Sequence, residues 1–222
     1  EASKYLEFPV VSGNVSFYNQ TKEIGIKPTP SIGGVGLLKD YQKMVTMDLK
    51  TVNNLVLVIG KTEGHIDQSI FARIILDEKN GPPPEINLFN EKNNGETLLQ
   101  LIESNYIKSA HDISLGGILV SLSKMCIKGN KGINLKKPKF LINEVEYFFA
   151  EDQGRYIIEI EPKDHKEVVK ILEKNSVHYD ELGSIIDKEM IINQKTKVTI
   201  DELKSYNTNW LNKYMSLLWQ WI

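Results

Sequence analysis

Asn54-Leu55-Val56-Leu57-Val58-Ile59-Gly60 is the stretch that sets the fold class of this chain. A dense Val/Leu/Ile run closed by glycine is the strongest β-strand signal in the sequence. Downstream, Ile66, Ile70, Ile74 and Ile75, with Phe71 beside them, predict a helix over 66–77. Gly81-Pro82-Pro83-Pro84 is a rigid loop that no helix crosses. Leu88, Leu98, Leu99 and Ile102 give the apolar side of a second helix over 87–106. Ser109-Ala110-His111-Asp112-Ile113-Ser114 reads as a polar bend. It opens a third helix with Ile118, Leu119, Leu122, Met125 and Cys126 on one stripe. Asn130 to Pro138 reads as a lysine-rich loop, and Tyr147-Phe148-Phe149 and Arg155 to Ile160 as strands. A helix over 163–174, short strands at 185–186 and 190–192, a helical turn at 201–204 and a terminal helix from Trp210 to Ile222 complete that side. Trp210, Leu211, Tyr214, Leu218 and Trp219 share one face of the terminal helix, which reads as core or a subunit contact.

Upstream, Phe8-Pro9-Val10-Val11 reads as a short buried strand ending in the turn Ser12-Gly13-Asn14. Residues 15–30 are polar, hold Pro28 and Pro30, and suit a surface loop. Ser31 to Leu38 reads as a further strand with glycines where backbone or ligand comes close. The character changes after Asp40, which places a domain boundary near residues 40–52. Strands alternate with helices throughout, so the expected class is α+β, a mixed α/β chain with a sheet flanked by helices.

Composition narrows the function. The 222 residues are 41% hydrophobic and 25% charged, as in ordinary globular proteins, which excludes disorder, collagen and coiled coil for the whole chain. Net charge is −2 with no basic face, so nothing points to nucleic acid or to a membrane surface. No apolar run approaches the length of a membrane helix. The single cysteine, Cys126, excludes an internal disulfide, disfavours a cysteine-based zinc site and fits a reducing cytosol. The chain starts Glu1-Ala2-Ser3 without an initiator Met, and we expect it to be cut from a longer protein.

Three motifs carry candidate chemistry. Ser12-Gly13-Asn14-Val15-Ser16 follows a predicted strand, where ligands meet α/β sheets. Gly13 lets a phosphate approach backbone, Asn14 offers a neutral oxygen to Mg²⁺, and Ser16 offers a hydroxyl. A plain polar turn is the alternative. In His111-Asp112-Ile113-Ser114-Leu115-Gly116-Gly117, Ser114 reads as an N-cap and the glycines leave a bare helix start that attracts phosphate. The alternative is a capped helix with glycines for close packing. Neighbouring His111 and Asp112 are expected to point apart. Glu151-Asp152-Gln153-Gly154-Arg155 is either a metal- or amide-binding carboxylate pair or a solvated loop. Gly33-Gly34-Val35-Gly36 lacks the dinucleotide spacing. Lys128, Lys131, Lys136, Lys137 and Lys139 read as a solvated loop, and His65, His165 and His178 are scattered without metal spacing.

The order of these motifs is more specific than any of them alone. Phe8 to Asn19 closely resembles a segment of the phosphoribosylformylglycinamidine synthase family. Pro28 to Leu37, Gly81 to Glu85, Ser109 to Ser114 with Gly116-Gly117, and Glu151 with Gln153 to Tyr156 follow in that family's order. The likeness spans essentially the whole chain. Its later segments are shared with the wider aminoimidazole-ribotide-synthetase (PurM-like) superfamily. The resemblance implies that residues 1–50 are the end of a PurM N-terminal-like domain and residues 51–222 a PurM C-terminal-like domain. It implies an ATP-dependent ligase of purine biosynthesis in the cytoplasm. The ligase turns formylglycinamide ribonucleotide and ammonia into the amidine with ATP and Mg²⁺. The implied partners are the N-terminal remainder of the synthase, a glutaminase subunit (PurQ) and a small subunit (PurS). By the same resemblance Gly13 touches ATP, Asn14 binds Mg²⁺ and Ser16 touches substrate, with no catalytic residue in this chain. Leu115 departs from the family's usual Asp, and Gln68-Ser69 from its Gly-Ser. Two other readings stand beside this one: a catalytically silent docking module of the synthase, and a relative such as the selenophosphate or thiamine-phosphate kinases.

Overall fold

The computed structural model describes residues 1–14, 19–26, 29–136 and 143–218, with side chains to residue 216. It forms two compact units, Glu1–Met44 and Val45–Ile222. The first unit has little regular structure. It holds one helical turn, α1 (Ala2–Tyr5), and a two-residue hairpin pairing β1 (Gln20–Thr21) with β2 (Ile24–Gly25). A 3₁₀ turn at Tyr41–Lys43 is capped by the Asp40 carboxylate, which accepts from Gln42 N–H at 3.0 Å. The strands expected at 8–11 and 31–38 do not form among the described residues, and the buried reading of 8–11 is corrected. Val11 and Val35 are more than nine-tenths exposed. Apolar character favours a strand only where a neighbouring strand satisfies its N–H and C=O groups, and neither segment has one here.

The second unit is a three-layer sandwich. Its strands are β3 (Leu55–Ile59), β4 (Ile107–Asp112), β5 (Gly132–Leu135), β6 (Tyr156–Ile160), β7 (Tyr179–Ile186), β8 (Glu189–Ile192) and β9 (Thr196–Thr199). They form one mixed sheet in the order β4-β6-β3-β7-β5-β8-β9. Every pairing is antiparallel except β5 with β8. The helices are α2 (Ile70–Ile74), α3 (Leu88–Glu103), α4 (Gly117–Gly129), α5 (Glu144–Phe149), α6 (His165–Lys174) and α7 (Ile200–Leu218).

Strand β3 shows why the apolar run has no polar alternation: it lies inside the sheet and is covered on both faces. Val56 and Val58 face Ile118, Leu122 and Met125 of α4, Tyr147 and Phe148 of α5, and Ile200 of α7. Leu57 and Ile59 face Leu98 and Leu101 of α3 and Val168 and Leu172 of α6. Each fully buried side chain of this kind contributes roughly 1.5–3 kcal/mol relative to exposure.

Four elements differ from the sequence expectation. The polar bend at 109–114 is the edge strand β4, because Ser109 is buried and its hydroxyl bonds Glu159. The loop 130–138 contains β5, whose Ile133 and Leu135 enter the core. Residues 147–149 belong to helix α5 rather than a strand. Asn143 caps it by accepting from Glu146 N–H at 2.9 Å, and that cap overrides the β preference of Tyr-Phe-Phe. The turn at 201–204 and the helix from 210 are one helix, α7; residues 219–222 lie outside the described part.

Candidate functional site

Gly13 and Asn14 lie in exposed, irregular chain. Among the described residues no heavy atom stands within 4 Å of the position a Cβ would take on Gly13. Ser16 lies outside the described residues. As a Mg²⁺ ligand, Asn14 offers one neutral oxygen. Among the described residues no group of three or more His, Cys, Asp or Glu is placed to hold a metal ion. One neutral oxygen is a single donor, and a complete Mg²⁺ shell needs several more oxygens.

The structure joins two motifs that lie apart in sequence. The Glu151 carboxylate accepts from Gly116 N–H at 2.7 Å, at the start of α4, and from Ile70 N–H at 2.8 Å, at the start of α2. One negative charge thus sits at two helix N-termini, where it is favoured by their unpaired N–H groups and dipoles. The expectation of a bare, phosphate-binding start to α4 is corrected: a carboxylate already holds Gly116 N–H. Gly116 itself is the N-cap, and Ser114 contributes its carbonyl to Gly117 N–H. Gly117 has a positive φ of 68°, and a Cβ there would lie 2.7 Å from the carbonyl oxygens of Phe148 and Ala150. Close packing is the use of this glycine.

Asp152 is almost fully buried and accepts three consecutive backbone N–H groups: Glu63 at 3.0 Å, Gly64 at 3.1 Å and His65 at 3.1 Å. Arg155, also buried, donates to Thr62 Oγ1, Ala150 O and Asp152 O. Burial lowers the Arg155 pKa, opposed by the charges of Asp152, Tyr147 and Glu151. These carboxylates are not a solvated loop: Asp152 and Glu151 are both engaged by backbone N–H groups.

His111 and Asp112 were expected to diverge, yet at the end of β4 His111 Nδ1 lies 3.1 Å from Asp112 Oδ1. Burial pushes the His111 pKa down, partly offset by Asp112. In the neutral ring Nδ1–H donates to Asp112, leaving Nε2 buried without a hydrogen-bond partner.

Sequence reasoning passed over the buried acid Glu159. It is fully buried and accepts from Lys50 N–H, Thr51 N–H, Asn54 Nδ2 and Ser109 Oγ at 2.7–3.0 Å. It stands alone among Tyr156-Ile157-Ile158 and Ile160, and a lone acid inside an apolar strand was the available signal.

Residues 51–194 match the family model described as AIR synthase related protein, C-terminal domain. The chain belongs to that family. Strands β3 to β8 and helices α2 to α6 lie in the matched region, and β9 and α7 lie beyond it. The chain is 71% identical over 215 residues to phosphoribosylformylglycinamidine synthase subunit PurL of Pelagibacter ubique, covering 97% of this chain and 30% of that protein. It is 38% identical to PurL of Bartonella henselae, covering 97% of this chain and 29% of that protein. The chain therefore spans about a third of the length of the curated relatives it matches. Among solved structures, T. maritima PurL complexed with FGAR matches with a TM-score of 0.60 and 19% identity, over 73% of this chain and 30% of that one. T. maritima PurL complexed with ATP (TM-score 0.57, 17% identity, 73% and 27%) and PurLQS from Thermotoga maritima (0.59, 17%, 73% and 28%) match alike. At this identity the solved structures show a shared fold.

Proposed function

We propose that this AIR-synthase-related chain is one part of a phosphoribosylformylglycinamidine synthase, which uses ATP and Mg²⁺ to convert formylglycinamide ribonucleotide and ammonia to the amidine. The observation that carries this reading is 71% identity to a protein of that name along 97% of the chain. The ATP and FGAR complexes of T. maritima PurL support nucleotide and substrate classes for the parent, and the PurLQS assembly supports glutaminase (PurQ) and small-subunit (PurS) partners. Residues 1–50 are then the close of an N-terminal-type domain, and residues 51–222 the C-terminal-type domain. The reading places the parent in the cytoplasm. No helix among the described residues is long and apolar enough to cross a membrane.

In this reading Gly13 gives the nucleotide access to backbone, Asn14 holds the ion through its side-chain oxygen, and Ser16 contacts the substrate. The bound ion supplies charge neutralisation on the phosphates. A second reading is that the chain is a catalytically silent docking module. The way Glu151 and Asp152 are spent on backbone N–H groups favours it for residues 45–222. The two readings separate in the full-length synthase carrying Asn14→Ala, where lost amidine formation supports a site in this chain and wild-type turnover supports the docking reading. The full-length synthase, assembled with its glutaminase and given glutamine, ATP and formylglycinamide ribonucleotide, is expected to form amidine with one ADP per product. ATP use without amidine would overturn the assignment. The 222-residue chain alone is expected to release no ADP; steady release would show a self-sufficient site and remove the docking reading.

A further inference from the structure

We propose that the connection between β3 and α2 is an oxyanion cradle whose resident ligand is the chain's own Asp152 carboxylate, and that this internal anion keeps the connection formed. Gly60 leaves β3 with φ 94° and Gly64 turns the chain again with φ 89°. Between and after them the N–H groups of Glu63, Gly64 and His65 converge on one carboxylate at 3.0–3.1 Å. Such runs of converging backbone N–H groups form anion-binding concavities. The Arg155 guanidinium adds positive charge at 3.9 Å from Asp152 Oδ2, and also donates to Thr62 Oγ1 at 3.0 Å. Both ionised partners are nearly free of solvent, Arg155 at 1% and Asp152 at 6% exposure, so the contact is little screened. The ligand is tethered two residues before a half-buried glycine turn, since Gly154 has φ 63°. The neighbouring bond from Glu151 N–H to His65 O locks the same pair of segments from the other side.

This arrangement gives the carboxylate pair a role other than metal chemistry. Asp152 is a positioning residue, and the object it positions is the platform on which α2 stands. Hydrogen bonds to a charged acceptor are roughly twice as strong as neutral ones. Removing the charge should therefore release these three amides selectively.

The test is native-state hydrogen exchange on the whole chain carrying Asp152→Ala. The amides of Glu63, Gly64 and His65 are expected to exchange about tenfold faster or more, while those of β3 keep their protection. Sodium formate, a free carboxylate of the size removed, is expected to restore protection of the three amides; sodium chloride at equal ionic strength is not. Unchanged exchange in the variant, or equal recovery in chloride and formate, would overturn the proposal, as would no recovery in formate. If Asp152→Ala does not fold, Asp152→Asn keeps shape and loses charge. It is expected to accelerate the same three amides, and wild-type protection there would contradict the role of the charge.

Discussion

At position 68, where the family resemblance implies glycine, this chain has Gln68 in the left-handed region with φ 61°. The side chain offsets the strain. Its amide donates to Lys79 O at 2.8 Å and Gly81 O at 3.1 Å, and its oxygen accepts from Arg73 at 3.1 Å. Single residues of this kind are not legible from type alone, because the same letters, Gln-Ser, fit any turn. His111 is another case. Burial lowers its pKa, so the folded chain keeps the ring neutral at a pH where the unfolded chain already binds a proton. The stabilising effect is complete above about 6.5 and is lost as pH falls below that value toward the lowered folded pKa. NMR titration of the His111 ring should give a midpoint below that of a free histidine. Asp112→Asn should lower the midpoint further, since the Asp112 charge raises it. A midpoint at or above the free value in the wild-type chain would contradict the burial argument.

Elements were legible where one physical signal dominated. The apolar run of β3 had no other fate than the middle of a sheet, and the stripe Ile118, Leu122, Met125 and Cys126 fixed α4 and its buried face. Elements failed where a polar residue had a buried partner far along the chain. Ser109 reads as turn chemistry, but its hydroxyl donates a hydrogen bond to Glu159, fifty positions later. Helix α5 failed for a local reason: the Asn143–Glu146 cap is a helix-start signature, and the aromatic residues after it drew the strand reading instead. The start of α4 makes the sharpest element-level prediction. Gly117→Ala adds a Cβ against two carbonyl oxygens at a positive φ, and should cost about 2–4 kcal/mol from overpacking and backbone strain. Urea unfolding measures it; a loss under about 0.5 kcal/mol would mean that α5 moves away freely.

Across the whole molecule the contrast is between its two units. Residues 45–222 hold two apolar clusters on either face of one sheet, whereas Val10, Val11, Ile32, Val35 and Leu37 of the first unit are largely exposed. Limited trypsin digestion should therefore cut first after Lys22, Lys39 or Lys43, leaving a resistant product that begins near Met44. Early cleavage inside the second unit would contradict that division. The family and the α+β class were readable because motif order and strand density survive in one sequence. For the site the sequence offers Gly13, Asn14 and Ser16 as a proposal, and among the described residues no group of three or more His, Cys, Asp or Glu is placed to hold a metal ion. Turnover of the full-length, partner-assembled synthase carrying Asn14→Ala tests the account most directly. We predict a loss of roughly a hundredfold, a raised Mg²⁺ requirement and an unchanged melting temperature; wild-type amidine formation at saturating Mg²⁺ would contradict it.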